Sequence, residues 1–355
     1  MPPDNTARTE AIASTEPREL AHDLSATRAS LAARLGRLRS VENMQIAGLA
    51  LVIIAITLVM QANFPRFLHP LNLEIMAVNF LPEAIIALGM TIVIITGGID
   101  LSVAGIYPFS AIIVGKLLVA GVPVPLAIVI TLCAAAGVGW INAFMTNTFK
   151  VHPFIATLAT LLTLRGVNIV ITEGATVSGF PDAFKAIGRA RLVIGNVVDI
   201  PILLLIFAVL AVVIGYALKN HQFFQQAYFI GGNKRSARMS GIKVERYLYF
   251  VFMLNATLAG VAGILAASQF GAASNSYGQN LELRVITAVV IGGASLSGGI
   301  GSILATTLGV TFLAIVYNAF AMTGISTYWQ DVVIGVMLLT AVFLSEFLKR
   351  RRTAR

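Results

Sequence analysis

From residue 44 to residue 348 the chain is a succession of apolar runs, most close to 20 residues long, with short polar or glycine-rich breaks between them. That run length is the governing constraint. A bilayer hydrocarbon core about 30 Å thick takes about 20 helical residues to cross. Inside it a backbone must satisfy its own hydrogen bonds, which leaves helices or closed barrels. Runs at 44–62, 73–96, 102–120, 124–147, 153–172, 200–218, 247–269, 284–296, 301–323 and 327–348 predict ten spans, within a range of eight to eleven. The run at 284–296 is too short to cross alone as a straight helix; it reads as broken or as starting deep in the protein. Composition agrees, with 57% hydrophobic and 12% charged residues, against roughly 45–50% and about 25% in a soluble domain. The predicted fold is an all-α polytopic membrane protein of about ten transmembrane helices, some short or broken, with one short helix outside the membrane.

The net charge of +9 is better read as topology than as a nucleic-acid surface, because basic residues collect at the cytoplasmic ends of spans. Ten spans put both termini on one side. With the termini in the cytoplasm, 18 of the 25 Lys and Arg lie inside, as the positive-inside rule requires. The reading is a multi-pass membrane protein with both ends cytoplasmic. Residues 1–43 hold six Arg and six acidic residues and no apolar core of signal-peptide length, so they read as a disordered cytoplasmic tail. Its piece 24–40 also fits a basic helix lying on the membrane. Residues 44–348 form the transmembrane domain, and 349–355 a basic cytoplasmic tail.

Between the sixth and seventh runs stands GGNKRSARMSGIK, residues 231–243. Gly231 and Gly232 permit a sharp turn, Asn233 is a good N-cap, residues 234–240 make about two helical turns, and Gly241 suits a left-handed stop. A short helix held near the bilayer by both neighbouring spans fits this pattern. A solvated basic loop that only anchors topology accounts for Lys234, Arg235 and Arg238 as well.

Two further glycine motifs share the form GG-x-[DS]-LS: GGIDLS at 97–102 and GGASLS at 292–297. Both read as turns at the cytoplasmic end of a span and suggest a parallel internal repeat. Gly97, Gly98, Gly292, Gly293, Ser297, Gly298 and Gly299 are the turn residues, and Asp100 is placed to cap the helix that follows. Small residues also let helices approach closely in lipid. Polar residues inside the runs are costly and need partners. Asn79 and Glu83 are four apart, on one helix face, beside the kink-prone Pro82. With Phe80, Arg165, Asn255 and Gln269 they are candidates for a solute path. Interhelical pairing, for instance Glu83 with Arg165, explains them too. Asn168, Asn318, Gln330 and Asp331 carry the same two readings. Asn275, Tyr277, Gln279 and Asn280 cluster with Gln269 at the outer mouth, where they suit the hydroxyl groups of a solute, a partner protein, or water.

Catalytic and metal motifs find no support. The histidines are scattered, Cys133 is the single cysteine, and no metal site is predicted. LSGGI at 296–300 mimics part of an ATPase signature, but no G-x-x-x-x-G-K-[ST] loop exists to hold phosphates, so it reads as a tight turn.

GGNKRSARMSGI resembles the coupling-helix segment of sugar-type ABC importer permeases, the ribose/xylose/autoinducer-2 group. VIITGGIDLSVAG (93–105), FIATLATLLTLRG (154–166), AGVAGILAAS (259–268), ELRVITAVVIGGASLSGGIGSILAT (282–306) and YWQDVVIG (328–335) resemble that family in matching order, from about residue 45 to the C-terminus. Lys234-Arg235 stand where acidic or neutral residues are common in that family, and Arg284 stands where an acidic residue is usual. The resemblance implies a permease subunit, not an enzyme, that pairs with a second permease subunit. Separate ATPase subunits would carry ATP and Mg²⁺, and a solute-binding protein would deliver a sugar. The segment Gly232, Asn233, Lys234, Arg235, Ala237, Arg238, Ser240 and Gly241 would couple to the ATPase, with no cofactor on this chain. A self-sufficient, ion-coupled secondary transporter with broken helices is the competing reading.

Overall fold

A computed structural model describes residues 44–194, 198–326 and 328–353. The tail expected over 1–43 and the last two residues lie outside them. The chain divides into two units, Met1–Gly48 and Leu49–Arg355; the second carries the helical body. Its helices are α1 (Met44–Asn63), α2 (Pro70–Asn79), α3 (Leu81–Ile95), α4 (Val103–Val119), α5 (Val124–Asn147), α6 (Pro153–Thr172), α7 (Asp182–Arg189), α8 (Ile202–Asn220), α9 (Gln222–Gly232), α10 (Lys234–Met239), α11 (Val244–Phe270), α12 (Leu281–Ile291), α13 (Ile303–Thr323) and α14 (Tyr328–Thr353).

Two helices make the core. Every residue of α3 except Pro82 is buried, as expected of a helix apolar on all sides. The most apolar stretch of α11 is 72% buried, and α11 packs on α3, α4, α5 and α7. Small residues allow this. A Cβ on Gly139 would stand 2.5 Å from the Phe252 carbonyl, and one on Gly263 2.3 Å from that of Tyr107. The outer helices are the reverse. The matching stretches of α1 and α8 are 6% and 17% buried. They present Leu51, Ile54, Leu58, Val209, Val212 and Val213 outward, an apolar surface too large for water and suited to lipid.

Among the described residues six helices are long and apolar enough to cross a membrane, and seven if α2 and α3 count as one bent span. The sequence predicts one helix over 73–96. The structure breaks it at Phe80, with a 48° bend, where Pro82 has no N–H to donate. Helix α4, at 17 residues, and the stretch Tyr328–Thr340 of α14 are shorter apolar helices. Helix α12 has 11 residues, about 16 Å of rise, so it does not cross a bilayer alone.

Beside the helices the described residues include two short antiparallel ribbons that the all-α expectation did not foresee. Strands β1 (Val177–Ser178) and β4 (Ala272–Ala273) pair, as do β2 (Arg191–Ile194) and β3 (Val198–Pro201). The second ribbon has a legible cause: Val193, Ile194, Val198 and Ile200 are β-branched residues, which suit a pleated strand. Arg191 in β2 forms ion pairs with Glu74 of α2 and Asp199 of β3, each at 2.5 Å.

Candidate functional site

Helix α10 is short but closed at both ends. Asn233 is extended (φ −161°), and its Oδ1 accepts from the N–H groups of Arg235 and Ser236, each at 3.0 Å. At the other end Gly241 takes φ +83°. Its N–H donates to the Arg238 carbonyl, and that of Ile242 to the Ala237 carbonyl, a Schellman stop. Ala237 is buried and anchors the helix. Gly232, Lys234, Arg235, Arg238, Met239 and Ser240 are exposed. Arg238 reaches back to Glu245 of α11 at 2.7 Å. A six-residue helix is marginal alone; caps, anchor and ion pair hold this one.

The two glycines before it act differently from the turn predicted for them. Gly231 and Gly232 are the last residues of α9, and the chain turns at Asn233. Gly231 is required for contact: an added Cβ would lie 1.8 Å from the Ile95 carbonyl oxygen and 2.4 Å from the Gly299 nitrogen. Gly299 donates its own N–H to the Ile95 carbonyl at 2.8 Å. A Cβ on Gly298 would lie 3.0 Å from Gly97 N and 2.9 Å from the Gly231 carbonyl. Tyr228 of α9 adds a hydrogen bond from its hydroxyl to the Gly301 carbonyl, 2.8 Å. The segment leading into α10 is thus seated on the end of α3 and on the 297–301 turn, with no side chain between the backbones.

The two glycine motifs therefore meet, and each closes a helix in the same way. Gly97 N–H donates to the Ile94 carbonyl and Gly98 N–H to that of Val93; Gly293 donates to Val290 and Ala294 to Val289. Gly97 and Gly293 both have positive φ, +76° and +92°. The structural match pairs Gly97 with Gly293 and Gly98 with Ala294. It is one residue out of register with the sequence match, which pairs Gly97 with Gly292. The paths then part: α4 begins at Val103, whereas α13 waits until Ile303. LSGGI is a tight turn, with Gly298 N–H on the Ser295 carbonyl.

Asp100 does not cap α4 directly. Ser102 holds the N-cap position. Asp100 is fully buried and closes the preceding turn, its Oδ1 accepting from Ser102 N–H (3.1 Å) and Ser102 Oγ (2.5 Å). Its Oδ2 accepts from Asn255 Nδ2 at 3.0 Å. Asn142 Nδ2 donates to Ser102 Oγ (2.8 Å), and Thr160 Oγ1 to Asn142 Oδ1 (2.6 Å). One polar chain thus ties the start of α4 to α5, α6 and α11. Asn255 lies near the middle of α11, so α4 begins beside the middle of that helix, not at its end.

The remaining path candidates separate. Asn79 is exposed at the end of α2, and the break at Phe80 takes it off the face of Glu83. Phe80 packs edge-on against Tyr317, 5.3 Å between ring centroids. Glu83 pairs with Arg284 at 3.0 Å, not with Arg165. Arg165 pairs with Glu282 at 3.3 Å. The first turn of α12 thus supplies one charge of each sign, to α3 and to α6. The sequence reading did not pair Arg284 with Glu83. Asn255 serves the Asp100 chain, and the Gln269 carbonyl accepts from Arg189 Nε at 3.2 Å.

What the structure does bring together is Arg165, Asn168 and the 275–280 loop. They line a cleft of about 370 Å³ with Ala104 and Pro108 of α4. Tyr277 stacks on Tyr107, 6.0 Å between centroids. Asn168 Oδ1 and Asn275 Oδ1 are buried without a hydrogen-bond partner. The lining is neutral amide, aromatic and one arginine already paired with a carboxylate.

An apolar outer shell around buried α3 and α11, with polar groups gathered inside, defines a multi-pass membrane protein. A family model for the permease component of branched-chain amino acid transport systems matches residues 72–342. The chain is 36% identical over 303 residues to the ribose import permease protein RbsC of Bacillus subtilis (strain 168), covering 85% of this chain and 92% of that one. It is 34% identical over 274 residues to the probable ABC transporter permease protein y4mJ of Sinorhizobium fredii (77% and 80% covered). The fructose import permease protein FruG of Bifidobacterium longum is 33% identical over 313 residues (85% and 91%). The chain belongs to this family of transport-system permease components. No solved structure matches it.

Proposed function

We propose that this chain is the membrane-spanning subunit of an ABC importer for a sugar or sugar-like solute. Its relatives with named solutes, the ribose and fructose import permeases, support the solute class, although the family's description names amino-acid transport. In this reading α4 and the apolar stretch of α14 cross beside the longer spans, α12 enters the membrane without crossing it alone, both termini are cytoplasmic, and a second permease subunit completes the path. A solute-binding protein delivers from outside. ATP and Mg²⁺ sit on partner ATPases, and this chain binds neither.

The observation that carries the mechanism is the seat of α10. A coupling element has to move as a rigid body, since a loose loop absorbs the motion imposed on it. Helix α10 has both ends closed, and Gly231 joins the segment before it to the backbones of Ile95 and Gly299. Displacement of α10 by an ATPase groove therefore reaches α3 and the turn after α12 without passing through flexible side chains. Helix α3 in turn holds α12 through Glu83 and Arg284. An ion-coupled carrier has no need of this insert. The test is uptake in proteoliposomes holding the assembled importer, where ATP depletion abolishes uptake and an uncoupler does not. Uptake that follows an ion gradient without ATP would refute the proposal.

A further inference from the structure

We infer that the cleft between α4, α6 and the 275–280 loop is a binding site for one neutral polyhydroxyl ring, a solute station within the chain itself. The inference rests on the import reading and adds a location and a recognition chemistry to it. Its volume, about 370 Å³, lies at the small end of the range of about 300–1,000 Å³ for small-molecule sites.

The wall shows what the ligand must bring. Asn168 is only 2% exposed. Its Nδ2 donates to the Gly105 carbonyl at 3.4 Å, which turns its Oδ1 into an acceptor with nothing to accept. Asn275 repeats the arrangement: Nδ2 donates to Thr172 Oγ1 at 2.6 Å, and Oδ1 is left without a partner. A buried acceptor without a donor costs about 1–3 kcal/mol; both oxygens are closed off as they stand, so the inference requires each amide to turn toward the cleft when a donating hydroxyl enters. Hydroxyl groups donate; an anion does not, and the paired carbonyl oxygens repel it. Arg165 is no free cation, since Glu282 neutralises it, yet its remaining N–H groups can donate to ring or hydroxyl oxygens. Tyr277, stacked on Tyr107, adds aromatic surface to the lining.

The test uses the assembled importer in nanodiscs, without the binding protein, carrying Gln279→Cys in a Cys133→Ala background. Gln279 is exposed at the cleft, so its thiol reports occupancy by its alkylation rate. For a weak site with Kd on the order of 10 mM, about 100 mM D-ribose or D-fructose slows alkylation about tenfold. L-leucine at the same concentration leaves the rate unchanged. Adding Asn168→Leu, or separately Asn275→Leu, abolishes the protection by sugar. Two independent variants guard against one that misfolds. Absence of protection by either sugar, protection by leucine alone, or protection that survives both variants overturns the assignment. ATP-driven sugar uptake without protection removes the cleft and leaves the import reading standing. Protection without any ATP-driven sugar uptake keeps the cleft and removes the import reading.

Discussion

Gly231 and Gly232 are neighbours of the same type in the same helix, and the structure predicts opposite outcomes for the same substitution. In Gly231→Ala the new methyl meets the Ile95 carbonyl oxygen at 1.8 Å and the Gly299 nitrogen at 2.4 Å. Both are backbone atoms, so relief requires separating α9 from α3 or from the 297–301 turn. Overpacking of this kind costs about 1–3 kcal/mol. Losing the Gly299 to Ile95 hydrogen bond adds about 1 kcal/mol, and replacing a helical glycine returns about 0.5–1 kcal/mol. The net is about 2 kcal/mol of destabilisation at the point where α10 is seated. Gly232→Ala meets nothing within 4 Å and gains about 0.4–1 kcal/mol from a less flexible unfolded chain. Thermal unfolding of the assembled importer and ATP-driven uptake read both. Gly231→Ala lowers the unfolding temperature and uncouples ATP hydrolysis from uptake; Gly232→Ala does neither. Equal tolerance of the two alanines would show that the backbone contact does not transmit motion.

Further outcomes follow from single contacts. Asn233→Ala removes the acceptor for two N–H groups and costs α10 about 1 kcal/mol; uptake falls while the unfolding temperature of the whole complex stays nearly fixed. Glu83→Gln leaves Arg284 without its counter-charge and costs about 3–5 kcal/mol, read as loss of folded yield. The double variant Glu83→Gln with Arg284→Met recovers most of that yield, and failure of the pair to rescue would refute the ion-pair role. Asp100→Ala strands donors on Ser102 and Asn255, at about 1–3 kcal/mol each, and lowers the unfolding temperature strongly. Asp100→Asn is milder, because Asn255 can turn its unpartnered Oδ1 toward the new amide.

How much was legible depended on the distance over which the determining contacts act. Helix α10 was read from its sequence because Asn233, Gly241 and the residues between them interact with one another. The apolar runs located most helices for the same reason. The function of Gly231 was not legible: its partners Ile95 and Gly299 are far away in sequence, and a glycine at a helix end looks the same whether it turns or touches. Glu83 and Arg284 were missed as a pair because a run starting at Arg284 seemed to place it at the membrane edge, whereas α12 begins at Leu281 inside the bundle. Asp100 read as a helix cap because the i+2 residue, Ser102, is local, while its second partner, Asn255, is 155 residues on. The repeat register slipped by one because glycine identity was matched, and the structure aligns the positive-φ position instead.

The central claim is that this chain is a gate moved by other subunits through α10. Its most direct test is solute accumulation in proteoliposomes prepared with and without the partner ATPases. The account predicts accumulation only with ATPases, ATP and binding protein present, unchanged when an uncoupler collapses the ion gradients. Uphill accumulation by the chain alone, or accumulation that the uncoupler abolishes while ATP remains, would contradict it.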